Sequence, residues 1–316
     1  MSSETQEAVG AKELGFAVYH GVNWADYTLY RPAYPESFFK RIYEYHAQQP
    51  GASWSTAHDV GAGHGIVSRS HAKKFERVVV SDPNEVSNNI ARQLLTKEYG
   101  KSEADFKFVF LHEAAESSSL EAETVDLITA CECMHWMDPV QAVNEFARQL
   151  KPGGTLVMTL YTPPVIRDNE RAQSIWQDIL NAHGEKATGP LSERAFQICS
   201  NAYDSIALPP THWETIKRVY INASKGIATF QWGDHVDEDR VGSHEERVWV
   251  HGDPDWFIER GVDWLKKFIS TYDLPHPGPE VQGLWDELER TMDCPEFRME
   301  VPVVMVFATK KAHQDS

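Results

Sequence analysis

The run His58-Asp59-Val60-Gly61-Ala62-Gly63-His64-Gly65 is followed at a short distance by Val78-Val79-Val80-Ser81-Asp82. The first run reads as a strand end that turns tightly into a helix, with glycines where backbone must approach a ligand; the second is a strand that ends in an acid. Asp82 lies 17 residues after Gly65, which suits a carboxylate accepting hydrogen bonds from ribose hydroxyls at the tip of the adjacent parallel strand. Together the two runs describe a nucleoside pocket. The glycine spacing narrows the ligand. A dinucleotide fingerprint, G-x-G-x-x-G, needs glycine at position 66, where the chain has Ile66, and no G-x-x-x-x-G-K-[ST] phosphate cradle follows.

Other residues with chemical capacity lie downstream and upstream. His135 follows an apolar strand whose C-terminal end should face the pocket, so it is the candidate base or orienting group; the alternative is that His135-Trp136 only packs the loop. Glu132 could hold a cationic group or cap the following helix. Cys131, Cys133 and His135 alternate, which suggests zinc, yet no fourth ligand stands at a suitable spacing and there is no H-E-x-x-H; no metal is expected. For an acidic substrate, Arg31, which follows Tyr27 and Tyr30, and Arg194, which follows Gly189-Pro190, are the guanidiniums that could clamp a carboxylate, with Arg167 and Arg218 as further candidates. Each could equally be a solvated or helix-pairing arginine.

The chain around these residues is globular in composition: 316 residues, 41% hydrophobic and 24% charged. Its net charge of −17 opposes nucleic acid and anionic membrane surfaces. Residues 1 to 15 are polar, without a secretory pattern, and the late apolar run Val301 to Ala308 is interrupted by Pro302 and too short to span a bilayer. The four cysteines show no secreted disulfide spacing and no C-x-x-C pair, which fits a reducing, cytoplasmic compartment. The sequence carries no mark of oligomeric state.

Apolar periodicity supplies the elements. A helix is predicted from Pro35, a strand at Thr56 to Val60, a helix to about Phe75, and a strand at Val78 to Ser81. The stripe Val86, Ile90, Leu94 marks the buried face of the next helix, and Phe106 to Leu111 and Val125 to Ala130 are strands. A helix through Val140, Val143, Phe146, Ala147 and Leu150 stops at Lys151-Pro152-Gly153-Gly154, before a strand at Thr155 to Tyr161. Strands alternating with helices predict an α/β fold with a doubly wound, mostly parallel sheet. Beyond Tyr161 come helical stretches around Glu170 to His183 and after Gly189-Pro190. A strand at Ile216 to Asn222, a long helix near Pro254 to Tyr272, a helix at about Glu280 to Met292 and a closing strand near Met299 to Thr309 complete the chain. Seven tryptophans here (176, 213, 232, 249, 256, 264 and 285) suggest a cap over an apolar or planar substrate, or simply helices packed on the sheet.

With these motifs in order, the chain resembles the class I S-adenosylmethionine-dependent methyltransferases, in the small-molecule branch of the trans-aconitate type, especially fungal-type members. The matching residues are Asp59 to Gly65, Ser81-Asp82, Ala115-Glu116, Val125 to Ala130 leading to His135-Trp136, and Leu150-Lys151-Pro152-Gly153-Gly154. Tyr30-Arg31-Pro32-Ala33-Tyr34-Pro35 and Thr188-Gly189-Pro190 extend the resemblance more loosely. The resemblance implies a Rossmann-like, seven-stranded sheet with a helical cap. It implies a lid or helical segment at 1–50, a cofactor-binding core at 51–162, a cap insertion at 163–215, and strands and helices at 216–316 that complete the sheet. It puts Gly61, Ala62 and Gly63 against the methionine and ribose, Asp59 near the amino group, and Asp82 on the ribose hydroxyls. Pro83 would lie on the adenine face, Ala115 and Glu116 at the adenine edge, and Cys131 near the sulfonium. Tyr27, Arg31, Glu132, Trp136 and Arg194 are the substrate candidates. The implied reaction is methyl transfer to a small organic acceptor, with carboxylate or other oxygen first and sulfur, nitrogen or carbon as alternatives. Because the pocket would look the same, a cofactor-bound enzyme that rearranges or cyclises its substrate is the second reading; a nicotinamide oxidoreductase is opposed by Ile66.

Overall fold

The computed structural model describes residues 23–186, 188–235, 237–272 and 277–312. The polar start at 1 to 15 therefore lies outside the described residues. In chain order the elements begin with α1 (Trp24–Tyr30), α2 (Glu36–Ala47), β1 (Thr56–Val60), α3 (Ile66–His71), β2 (Arg77–Ser81), α4 (Glu85–Tyr99) and α5 (Lys101–Lys107). They continue with β3 (Phe108–Leu111), β4 (Val125–Cys131), α6 (Pro139–Gln149), β5 (Leu150–Tyr161), β6 (Val165–Ile166), α7 (Glu170–Gly184) and α8 (Pro190–Ser200). The last part holds β7 (Trp213–Ile221), β8 (Glu246–Val250), β9 (Phe257–Arg260), α9 (Val262–Ser270), α10 (Glu280–Thr291), β10 (Phe297–Glu300) and β11 (Val303–Lys310).

The main sheet has the order β3-β2-β1-β4-β5-β11-β7-β8. Pairing is parallel from β3 to β5 and between β7 and β8, and antiparallel on both sides of β11. Strands run outward from β1 in one direction and from β4 in the other, so the topological switch lies between them, where ligands of open α/β sheets bind. Register places the functional loops side by side: Val60 is level with both Ser81 and Ala130. The chain segments that start at Gly61, Asp82 and Cys131 thus leave one edge of the sheet together.

Strands buried on both faces explain the apolar runs: all seven residues of β4 are buried, and so are the last eight of β5. One core face is covered by α2, α3 and α4 through Phe38, Ile42, Val67 and Ala91; the other is covered by α6 through Val143 and Phe146. A third apolar cluster joins α7, α9 and α10 around Trp176, Leu265, Phe268 and Leu288.

Four expectations are corrected. The sheet has eight strands rather than seven, because Glu246–Val250 adds a charged, half-exposed edge strand parallel to β7. The stripe on α4 is inverted: Val86 and Leu94 are 62% and 48% exposed, while Ser87, Asn88, Ala91 and Leu95 face the core. The predicted helix at 254–272 is a 3-10 turn, then β9, then α9, because Phe257–Arg260 pairs with Phe297–Glu300. Pro302 divides the closing strand, so β10 joins β6 and β9 in a small sheet while β11 enters the main one.

Candidate functional site

The site starts where β1 turns. Gly61 has φ +61°, and a Cβ there would lie 2.7 Å from Cys133 Cβ, so glycine lets the turns after β1 and β4 close against each other. Gly63 has φ +55° and donates its N–H to Asp82 Oδ2 at 2.9 Å. Asn84 N–H donates to Asp82 Oδ1 at 2.8 Å, and the Asn84 side chain in turn caps α4 by accepting from Val86 and Ser87 N–H. The acid after β2 is thus fastened to the glycine loop on one side and to a helix start on the other. Burial pushes the Asp82 carboxyl up, opposed by these two N–H donors. Deeper in, Asp59 accepts the Ser68 hydroxyl at 2.5 Å and the Thr129 hydroxyl at 3.3 Å. Burial pushes its carboxyl up to about 7, against those hydrogen bonds.

These groups wall an outer cavity of about 310 Å³. All nine residues predicted to meet the cofactor line it: Asp59, Gly61, Ala62, Gly63, Asp82, Pro83, Ala115, Glu116 and Cys131. Glu116 is also engaged below, accepting Asp138 N–H at 2.8 Å. Pro83 is steadied through its carbonyl, which accepts from His112 Nε2 at 2.8 Å. Ser87 lines the same wall, and its buried Oγ has no hydrogen-bond partner among the described residues.

An inner cavity of about 70 Å³ adjoins the outer one. Tyr27, Arg31, Glu132, Trp136 and Tyr161 line both and form the wall between them. Arg31 enters from the end of α1. Its Nε donates to Thr271 Oγ1 at 2.7 Å, and its guanidinium lies 3.6 Å from the Tyr272 ring centroid and 4.9 Å from that of Tyr27. Glu132 sits in the left-handed region, φ +58°. Two bonds to β5 hold it there: its N–H donates to Thr159 O at 2.9 Å, and Oε1 accepts Tyr161 N–H at 2.6 Å. Burial pushes its carboxyl up to about 8, opposed by the Tyr161 N–H and by Arg31.

His135 lines the inner cavity and not the outer one. It is buried, its Nδ1 lies 3.3 Å from the Tyr203 hydroxyl, and burial, reinforced by Arg31, drives its pKa down to about 3. Arg194 lines neither cavity; its Nη2 donates to Trp136 O at 3.4 Å. Arg167 pairs with Glu300 at 3.4 Å, and Arg218 is buried between Glu245 and Asp204. Of the four arginines considered as carboxylate clamps, Arg31 is the one at the cavities.

Of the seven tryptophans that could either cap a substrate or pack helices onto the sheet, Trp232 lines the inner cavity. Trp176, Trp213, Trp256 and Trp285 are buried core residues, Trp249 stacks on Tyr220 and Trp264 on Phe268. Among the described residues, no group of three or more histidine, cysteine and acidic side chains is arranged to hold a metal. Sequence reading missed Tyr161, Ser87 and Tyr272. Tyr161 ends β5 beside β4 and Ser87 opens the helix after the acid, so strand-end adjacency could have found both; nothing local marks Tyr272.

A doubly wound sheet with a glycine loop at its switch point and an acid at the next strand tip defines a nucleoside-cofactor enzyme of the Rossmann-like type. Comparison with known proteins agrees. The family model described as a methyltransferase domain matches residues 58–158. The chain is 33% identical over 298 residues to a methyltransferase of Claviceps purpurea, with 91% of each chain covered. It is 29% identical over 318 residues to the methyltransferase cfoB of Aspergillus candidus, covering 93% of this chain and 97% of that one. A solved structure from Anaeromyxobacter dehalogenans, described as a type II methyltransferase, shares the fold with a TM-score of 0.56 at 17% identity, over 89% of this chain and 96% of that one. The chain belongs to the class I S-adenosylmethionine-dependent methyltransferases, and S-adenosylmethionine is its cofactor.

Proposed function

We propose that the protein methylates an oxygen atom of a small, planar, largely uncharged acceptor seated in the inner cavity, with the cofactor in the outer one. The observation that carries this reading is the shared wall, since two compartments that meet at Tyr27, Arg31, Glu132, Trp136 and Tyr161 allow two ligands to face each other. The outer compartment suits S-adenosylmethionine. Asp82 keeps free lone pairs after accepting two N–H groups and is the ribose ligand. The Ser87 Oγ, without a partner among the described residues, offers a further polar contact in the same wall. Pro83 and Ala115 take the adenine, Glu116 its edge, the Gly61-Ala62-Gly63 backbone the ribose and methionine portion, Asp59 the region of the amino group, and Cys131 the end nearest the acceptor.

When bound, S-adenosylmethionine supplies an electrophilic methyl group on a sulfonium whose departure leaves a neutral thioether. The chain's own contribution is alignment and exclusion of water; a well-oriented pair gains on the order of 7 to 11 kcal/mol over free encounter. Trp136, Phe196, Trp232 and Tyr272 supply flat apolar surface, and neutral His135 orients the acceptor. The segments at 23–50 and 163–215 act as lid and cap.

Charge selects among acceptors. Among the described residues, Arg31 is the cation of the inner wall, and Glu132 stands in the same wall. A polycarboxylate needs more cations, and Arg194 is turned to Trp136 O instead. One hydroxyl, or one carboxylate opposite Arg31, suits the wall. The four cysteines are free thiols, which supports the cytoplasm as the working compartment, and no helix among the described residues is long and apolar enough to cross a membrane. The test is release of S-adenosylhomocysteine with graded phenols, monocarboxylates and tricarboxylates. Turnover confined to tricarboxylates would overturn the charge argument.

A further inference from the structure

Resting on the reading that a hydroxyl oxygen is methylated, we infer that Glu132 is the catalytic residue that takes the proton from the acceptor hydroxyl at the junction of the two cavities. His135, the group the sequence favoured, belongs to the inner cavity alone and its Nδ1 is turned to the Tyr203 hydroxyl. Glu132 lines both cavities, so it borders the space where the two ligands must meet. Its carboxylate is oriented from the backbone: Oε1 accepts Tyr161 N–H at 2.6 Å. The left-handed backbone at φ +58° is uncommon for a non-glycine residue. Its bonds to Thr159 and Tyr161 keep it in place, and backbone held in such a region is a recurrent feature of functional sites.

The step balances. The acceptor oxygen bonds to the methyl carbon as the carbon–sulfur bond breaks, and sulfur keeps that electron pair. The O–H bond breaks, its electrons stay on oxygen, and the proton passes to Glu132 Oε2. The product is a neutral ether and a protonated carboxyl, which bulk water then deprotonates.

The surroundings leave Glu132 as the group suited to this exchange. Arg31 is the nearby cation and favours the carboxylate form. Among the described residues, the other groups shown to feel Glu132 are neutral phenols, Tyr27, Tyr34, Tyr161, Tyr203 and Tyr272, and the thiols of Cys131, Cys133 and Cys199. Burial pushes all of these up, so they keep their protons at neutral pH. Glu132, pushed up to about 8, exchanges its proton near neutrality.

The experiment uses Glu132→Gln, which keeps an acceptor for Tyr161 N–H. Calorimetry with S-adenosylmethionine comes first: failure of the unmodified chain to bind would sink the functional reading itself, not the role of Glu132. With binding established, infrared titration of the cofactor-free protein should show a carboxyl band that disappears between pH 7 and 9 and is missing from Glu132→Gln, about the range expected of a general base tuned to neutrality. On a panel of phenols of graded acidity, kcat of the unmodified chain should rise with pH through about 8. In Glu132→Gln it should fall roughly 100-fold or more for weakly acidic phenols, with KM and cofactor affinity little changed. Nitrophenols, already ionised, should recover most of the rate, which a merely structural role would not allow. No titrating band, equal losses on every phenol, or methylation of none of them by the unmodified chain would overturn the proposal.

Discussion

The Gly63 amide donates to the Asp82 carboxylate at 2.9 Å, tying the loop after β1 to the acid at the end of β2. The two signals that stood 17 residues apart in the sequence are therefore one physical unit. An acid fixed by backbone donors presents its remaining lone pairs in a set direction, which is what recognition of two adjacent hydroxyls requires.

Asp82→Asn should reduce S-adenosylmethionine affinity roughly 10- to 100-fold, the usual worth of a hydrogen bond to a charged group. The amide keeps the size of the carboxylate but puts an NH2 against either the Gly63 or the Asn84 N–H. Calorimetry reads this directly. Affinity unchanged in a folded variant would separate Asp82 from the cofactor.

Gly61→Ala tests the closeness of the two turns. The added methyl would meet Cys133 Cβ at 2.7 Å and Sγ at 2.9 Å, at φ +61°. A loss of about 1–3 kcal/mol in stability is expected from backbone strain and overpacking. Adding Cys133→Gly should return the part due to contact and leave the part due to φ. Urea unfolding of the two variants separates the terms, and equal stabilities would mean that the contact contributes nothing.

Asp59 makes stability depend on pH with a definite sign. Its carboxyl is raised from 3.8 to about 7 in the folded chain, so the folded state holds the proton more tightly than the unfolded one. Its contribution is greatest below 3.8 and declines as pH rises to about 7, by on the order of 1 kcal/mol per pH unit. Above that it is level. Asp59→Asn removes the decline, so the stability difference between the two proteins should shift across that window and stay constant above it. A flat difference from pH 4 to 7 would mean that Asp59 is ionised throughout.

Much of this architecture was legible because its signals are local. Parallel strands covered on both faces must be apolar along their length, and tight turns beside a ligand must contain glycine, so β1, β2, β4, β5 and the loop after β1 could be read directly. The inverted face of α4 has a different cause. Asn88 is buried because its Nδ2 supplies donors to the carbonyls of Asp82 and Leu111, at 3.1 and 2.6 Å, a need of two loops that no hydrophobic pattern displays. The inner wall was legible in part, since Tyr27, Arg31, Glu132 and Trp136 stand among the substrate candidates; what holds it was hidden by distance along the chain, because Arg31 is held by Thr271, 240 residues away. The same distance kept the partner of β9 out of view, since β10 lies beyond two helices.

The sequence offers Arg218 as a possible substrate clamp, and its position supports a different expectation. The side chain is fully buried, bonded through Nε to Glu245 at 2.6 Å, and placed 3.5 Å from Asp204. Its other nitrogens donate to the carbonyls of Tyr203 and Ile206, both at 2.9 Å. Arg218→Leu would leave two buried carboxylates short of a counter-charge, remove the guanidinium donor from the Ile206 carbonyl, and leave the Tyr203 carbonyl with the Ile206 N–H alone. The expected cost is about 3–5 kcal/mol of stability, measured by urea unfolding. Adding Glu245→Leu should return part of that loss, because the uncompensated charge, rather than the missing attraction, dominates the penalty. Cofactor affinity should hardly change, since Arg218 lines neither cavity. Folded Arg218→Leu protein with intact stability and weakened acceptor binding would reverse the assignment and return Arg218 to the substrate.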